Sequence, residues 1–353
     1  TTIDSKAQQR LFDILNTNDY IQYVNDKIQN AVVMLDTKTG AVRAVNGGRK
    51  QTTLLGYNRV TDNSRSTGST IKPVIDYGPA IEYLNYSTGQ TIMDKRTTYS
   101  NGVELNNWDF SHKGAMTLRT ALVYSRNTTA LQTFKAVGET NIKSFLNNLD
   151  IQIKNDGQDY LVESNSIGAD ISPIKMAAAY AAFGNYGTYS KPYTVTKVTT
   201  RDGQVTEFKP EQKQAMKDST AYMITDVLKD SFKYGFATQA SIPGLPTAAK
   251  TGSSNYTVEQ KRAMGAGDYD DIIPDSWFIG YSTDYTISAW TGYDNPYEKG
   301  GGVDTTEQEY SRLIYYYLMK YMAESSSGDD WVQPDSVVKQ QIEIGSDPLS
   351  LPG

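Results

Sequence analysis

Ser69 and Lys72 lie three positions apart in the stretch Ser66-Thr67-Gly68-Ser69-Thr70-Ile71-Lys72-Pro73. Residues i and i+3 of a helix share a face, one turn apart, so a helix opening at Ser69 sets an amine beside a hydroxyl. A serine hydroxyl is a weak nucleophile until a base takes its proton. Lysine becomes such a base when burial or a neighbouring cation lowers its pKa. The free N–H groups of a helix start favour negative charge at the same place.

Ser-x-x-Lys recurs at Ser172-Pro173-Ile174-Lys175 and at Ser336-Val337-Val338-Lys339. The first reads as a helix cap, with serine at N-cap and proline at N1; the second sits in a polar tail. Ser69 differs in having two further motifs downstream, Ser125-Arg126-Asn127 and then Lys250-Thr251-Gly252-Ser253. Lys-Thr-Gly also occurs at Lys38-Thr39-Gly40, but as a hairpin turn ahead of Ser69, and Ser253-Ser254-Asn255 also fits Ser-x-Asn. Acyl transfer needs a nucleophile, a base, a proton donor for the leaving amine and donors for the oxyanion. The expected division of labour is attack by Ser69 and proton removal by Lys72. Ser125 then passes a proton to the leaving nitrogen, with the positive charge of Lys250 beside it. Two lysines converging on one serine lower each other's pKa. Asn127 can grip a peptide amide, and Gly252 admits a close backbone. The N–H groups of Ser69 and Ser253 would form an oxyanion hole, where one donor is worth roughly 3–4 kcal/mol of barrier.

The chain of 353 residues, 38% hydrophobic, suffices for one large domain or two modest ones. A net charge of −6 and the lack of a Lys/Arg block argue against nucleic-acid binding. With no cysteine, thiolate nucleophiles, disulfides and Cys-ligated metals are excluded. The single histidine, His112, rules out a multi-His metal site and reads as a surface loop residue; no cofactor or metal is expected. No stretch approaches the ~18 apolar residues of a membrane span. No signal peptide opens the chain, and Thr1-Thr2-Ile3-Asp4 reads as the middle of something longer.

The elements that must position these groups are set by periodicity and turn residues. A docking helix is expected over residues 5–15, with Ser5 and Gln8 as a capping box. Residues 31–48 read as a β-hairpin and 49–68 as the polar loop delivering Ser69. Helix continues to about Tyr83, then an irregular stretch runs to Lys113. There Trp108, in Asn106-Asn107-Trp108-Asp109, is either a loop anchor or a cleft wall. Residues 117–190 are mostly helical, and 193–208 form a hairpin. Strands return over 247–293, with Lys250 on an edge-like strand. A helix over 307–322 places Tyr310, Leu313, Ile314, Tyr317, Leu318 and Tyr321 on one packing stripe. Strands at both ends around a helical block predict one sheet of distant segments, an α+β domain with an inserted lobe. The expected division is a 1–30 linker or docking segment, a 31–324 domain and a 325–353 tail. The lobe, about 69–190, lies between sheet segments 31–48 and 247–293.

Ser66 to Pro73, Asn107-Trp108-Asp109, Ser125 to Thr128, Met176 to Gly187, Ala249 to Tyr256 and Ala289 to Tyr293 together resemble the transpeptidase domain of class A penicillin-binding proteins of Gram-positive bacteria. The resemblance covers nearly the whole chain. It implies a five-stranded antiparallel sheet with flanking helices, as in serine β-lactamases and transpeptidases. It implies Ser69 as the acylated serine, Lys72 as base, and Ser125, Asn127 and Lys250 completing the site. Thr251 and Ser253, with Gly252, would bind the substrate's terminal carboxylate, and Trp108 would line the cleft. The implied activity is D,D-transpeptidation: cross-linking of peptidoglycan stem peptides with release of D-alanine, inhibited by β-lactams. A carboxypeptidase or serine β-lactamase on the same scaffold remains open, as does a catalytically silent cell-wall-peptide binder. No Glu-x-Glu-Leu-Asn pattern of class A β-lactamases occurs after Ser125. The resemblance further implies a piece of a bifunctional enzyme anchored on the outer face of the bacterial membrane, its N-terminal glycosyltransferase domain and membrane helix absent here.

Overall fold

The computed structural model describes residues 1–352. Five strands form one antiparallel sheet: β1 (Gln29–Asp36), β2 (Val42–Asn46), β3 (Ala248–Ser253), β4 (Asp275–Tyr281) and β5 (Tyr285–Gly292), in the order β3-β4-β5-β1-β2. More than two hundred residues separate β2 from β3 in the chain, and β1 joins the two groups by pairing with β5 from Gln29–Gly292 to Asp36–Tyr285. Side chains of β1 alternate between two cores. Ala31, Val33 and Leu35 belong to one, and Val32 and Met34 to the other.

Helices α1 (Ser5–Asn16), α2 (Gly78–Leu84), α3 (Leu118–Val123), α4 (Asn127–Val137), α5 (Glu139–Asn148), α6 (Pro173–Gly184), α7 (Asp218–Lys229), α8 (Val258–Ala263) and α9 (Tyr310–Ala323) complete the main elements. The Ala-rich α6 lies on one face of the sheet, where its small side chains allow close approach. The other face is covered by α1 and α9. Helices α2 to α5 form the lobe between β2 and β3, and α7 packs against α6 and β3.

Two expectations need correction. The N-cap of α1 is Asp4, whose carboxylate accepts from Lys6 N (2.9 Å) and Ala7 N (3.0 Å). Gln8 instead pairs with the free edge of β2, donating to Val45 O and accepting from Val45 N, both at 2.8 Å. An amide matches a bare strand edge's donor and acceptor together, so it serves there better than as half of a capping box. On α9 the buried stripe is Tyr310, Ser311, Ile314, Tyr315, Leu318, Met319 and Met322. Leu313, Tyr317 and Tyr321 are only partly buried; Tyr317 meets Tyr20, and Arg10 lies over the Tyr321 ring. Ser172 does hold the N-cap position of α6, with Pro173 at N1, though its side chain makes no capping bond. Beyond α9, Trp331 is buried against Tyr281 and donates its indole N–H to Gly184 O (2.8 Å).

Candidate active site

Ser69 lies on a tight 3₁₀ turn, Gly68–Ile71, that widens into a π turn over Pro73–Tyr77 before α2 begins. Pro73 brings no N–H to a helical ladder, and π turns of this kind recur at functional sites. Three bonds clamp the turn: Tyr180 Oη to Thr70 O (2.5 Å), Trp277 Nε1 to Ser66 O (2.8 Å) and Thr67 N to Ala169 O (2.9 Å). They come from α6, β4 and the segment before α6, so the sheet, its covering helix and the lobe fix the position together.

The edge strand β3 presses against this turn backbone to backbone. A Cβ on Gly68 would collide with Ser253 O, and one on Gly252 would fall 2.6 Å from Thr70 N. Gly68 also has φ +50, the left-handed region that favours glycine. Ser254 N donates across the sheet to Asp275 O (3.2 Å). Successive N–H groups of a strand point to opposite sides, so that of Ser253 points off the sheet edge, the side on which the Ser69 turn lies.

Ser125 links α3 to α4 with φ +53, a left-handed conformation that a non-glycine residue adopts at a cost. The bend brings two of its oxygens to Lys72. Lys72 Nζ lies 2.8 Å from Ser125 O, 3.1 Å from Ser125 Oγ and 2.8 Å from Asn127 Oδ1. Lys250 Nζ donates to the same Ser125 Oγ (2.9 Å) and to Thr251 O (2.9 Å). Two of the three neighbours of Lys72 are carbonyl oxygens, which only accept. The third, Ser125 Oγ, can accept from an ammonium or donate to the lone pair of a neutral amine. Among the described residues Ser69 Oγ makes no hydrogen bond, so in this arrangement Lys72 is bonded to Ser125 rather than to Ser69. Burial pushes the Lys72 pKa well below the ordinary lysine value, with the positive charge of Lys250 adding to the effect. Burial alone lowers Lys250 to about 7.

A scaffold that no motif in the sequence announces holds the Ser125 bend. Arg126, the middle residue of Ser-x-Asn, is buried and ion-paired with Asp94 (2.9 Å) and Asp109 (2.9 Å). Asp94 also accepts from Asn107 Nδ2 (2.7 Å) and Thr128 Oγ1 (2.6 Å). Asn107 Oδ1 in turn accepts from Asn127 N (2.7 Å). The only signal in the sequence is the polar run around Trp108. Trp108 is both anchor and wall. Its Nε1 donates to Tyr124 O (3.0 Å), its ring meets Phe236 edge-on at 5.4 Å, and it lines the cleft.

That cleft has a volume of about 950 Å³ and is lined by Ser69, Trp108, Ser125, Asn127, Thr251 and Ser253, with Gly252 and others. The buried Lys72 and Lys250 reach its floor through Ser125. All nine residues singled out in the sequence therefore meet in one region. The second Lys-Thr-Gly, at Lys38, lies in the turn between β1 and β2, where Lys38 pairs with Asp284. His112 is exposed.

A family profile for the penicillin binding protein transpeptidase domain matches residues 30–316. Penicillin-binding protein 1A/1B of Bacillus subtilis is 38% identical over 358 residues, covering 100% of this chain and 38% of that protein. Penicillin-binding protein 1A of Streptococcus oralis is 39% identical, covering 94% of this chain and 53% of that protein. The chain thus spans about two fifths to one half of the length of these relatives. Among solved structures, the penicillin-binding protein PonA1 of Mycobacterium tuberculosis in complex with penicillin V superposes with a TM-score of 0.80 at 21% identity, covering 98% of this chain and 89% of that one.

Proposed function

This chain belongs to the penicillin-binding protein transpeptidase family, and we propose that it is a D,D-transpeptidase acting through an acyl-enzyme at Ser69. Ser69 Oγ attacks the carbonyl of the penultimate D-alanine of a peptidoglycan stem peptide. Lys72, as the neutral amine, takes the hydroxyl proton. The N–H groups of Ser69 and Ser253 stabilise the oxyanion. The intermediate collapses by breaking the peptide C–N bond, and Ser125 delivers its proton to the departing D-alanine nitrogen while Lys72 returns one to Ser125. An amine of a neighbouring stem then attacks the ester, restores Ser69 and forms the cross-link. Asn127 holds a substrate amide, and Thr251 with Ser253 holds the terminal carboxylate. β-Lactams present a similar carbonyl and acylate the same hydroxyl, and the parent protein acts at the outer membrane face, as the family resemblance implies.

One observation carries this reading: two buried lysines share the hydroxyl of Ser125 beside a serine whose own hydroxyl is uncommitted. Transfer to an amine is favoured over hydrolysis by a second. The turn Glu163–Ile167 packs beside the Ser69 turn, yet its carboxylate is engaged by Ser100 and Lys135, not free to activate water.

The test is a stem-peptide thioester assay with D-alanine as acceptor, alongside labelling by fluorescent penicillin. Expected are one stoichiometric label, lost in Ser69→Ala, and aminolysis that outruns hydrolysis. Rapid turnover of nitrocefin would point to a β-lactamase, water as sole acceptor to a carboxypeptidase, and no acylation by any donor to a silent binder.

A further inference from the structure

Asp275 opens β4 at the end of the sheet that carries Ser253, and its carboxylate is buried. Its two oxygens face different elements. Oδ1 accepts from Arg65 Nε (3.0 Å) and Trp290 Nε1 (2.9 Å). Oδ2 accepts from Ser254 Oγ (2.7 Å), the residue whose backbone N–H already meets Asp275 O. Arg65 is held further by Tyr293 O (2.9 Å) and Pro274 O (3.3 Å), with its guanidinium 5.3 Å from the Trp290 ring centroid. A planar guanidinium held at several points keeps little freedom.

These bonds join the two sides of the gap at Ser69. Arg65 begins the two-residue strand Arg65–Ser66 that leads into Gly68 and Ser69. Ser254 directly follows Ser253, whose backbone lies against Gly68. One carboxylate therefore grips the lead-in of the serine turn with one oxygen and the end of β3 with the other. Neither Arg65, Ser254 nor Asp275 lines the cleft that contains Ser69. Any influence they have on chemistry there passes through the backbone.

We propose that Asp275, with Arg65 and Ser254 as its two grips, is a positioning residue that sets the spacing between Ser69 and the Ser253 N–H during acylation. The inference rests on the transpeptidase reading, in which that N–H stabilises the oxyanion. An oxyanion donor acts at about 2.7–3.1 Å from the oxygen it serves, and a displacement of about 1 Å can cost 10²-fold in rate. Charge-assisted bonds to a carboxylate are the short, strong kind that such a spacing needs.

The test is stopped-flow acylation by a chromogenic β-lactam, which separates the dissociation constant of the first complex from the rate constant of acylation. Urea unfolding is run on every variant. Ser254→Ala removes one bond from a half-buried side chain. It is expected to slow the acylation step about tenfold, with the dissociation constant within about twofold of wild type and the unfolding midpoint unchanged. Ser254→Thr, which keeps the hydroxyl, restores the rate. An amide has one acceptor oxygen and one donor nitrogen, so Asp275→Asn can serve one grip but not both, and acylation should slow by about 10²-fold. Adding Ser254→Ala to Asp275→Asn should change little more, because both act through one carboxylate. Should Asp275→Asn fail to fold, Arg65→Lys, which keeps the charge and loses the fork, takes its place in the pair. An acylation rate untouched by Ser254→Ala and Asp275→Asn overturns the proposal, as does a loss confined to stability or to the dissociation constant, or a double variant whose losses multiply. Fluorescent penicillin keeps the two readings apart. A wild-type protein that is labelled, with variants labelled equally fast, defeats the positioning role alone, whereas a wild-type protein that is never labelled defeats the transpeptidase reading and this role with it.

Discussion

Lys72 and Lys250, 178 positions apart in the chain, converge on one atom: Ser125 Oγ, at 3.1 and 2.9 Å. Burial drives each towards losing its proton, and for Lys72 the positive charge of Lys250 adds to the effect.

The pH dependence of acylation has a definite sign. The proposed mechanism requires a neutral Lys72, so the rate rises with pH through its depressed pKa. The same mechanism requires a charged Lys250, so the rate falls again above about 7. The bell therefore lies well below the ordinary lysine value of about 10.4, and its two limbs belong to the coupled pair. Stopped-flow acylation by a chromogenic β-lactam checks this. Ser125→Ala removes the shared acceptor and should slow acylation by about 10²–10⁴. A plateau extending to pH 10 would count against these assignments.

Gly68→Ala should be costly out of proportion to one methyl. The new Cβ meets the Ser253 backbone and requires a left-handed φ. A loss of about 1–3 kcal/mol in urea unfolding is expected, together with slower acylation, because Ser253 must retreat from Ser69. Gly102→Ala has open space at the same kind of φ and serves as the comparison.

Asp94→Ala removes the fully buried partner of Arg126, which would keep the Ser111 carbonyl and Asp109 at the edge of the network. Breaking a buried pair by removing one partner typically costs about 3–5 kcal/mol. Thermal unfolding should show a large loss. Asp94→Asn, which can still accept from Arg126, should lose less.

Asp76 is fully buried on the π turn, four residues after Lys72, and neither carboxyl oxygen has a hydrogen-bond partner among the described residues. Burial pushes its pKa well above the ordinary carboxyl value, with the charge of Lys72 opposing. The folded state thus holds a proton that the unfolded chain releases near pH 4. Stability contributed by Asp76 is therefore full below that pH and is lost as pH rises towards the folded value. Asp76→Asn should remove this decline and be the more stable protein at neutral pH, as read by urea midpoints at a series of pH values.

Much of the candidate site is legible in the sequence because it is built from three short motifs, each readable by itself. The edge strand carrying Lys250 and the turn carrying Ser69 are readable from local pattern, as is the sheet of distant segments. The pairings made across the fold are not. Arg126 looks like filler between Ser125 and Asn127, since its partner Asp94 lies 32 residues away and nothing local announces a buried ion pair. Gln8 has the spacing from Ser5 of a capping box, while the bare edge of β2 that it satisfies is a product of the sheet order. Asp76 gives no signal, because a carboxylate on a helix ordinarily faces water.

The contact between Gly68 and Ser253 has one more consequence. With no side chain between the two main chains, the gap that would receive the carbonyl in the proposed mechanism is a dimension of the backbone itself. Rotamer fluctuations have no lever on it, and a change in its width requires the sheet margin or the nucleophile's loop to shift as a body.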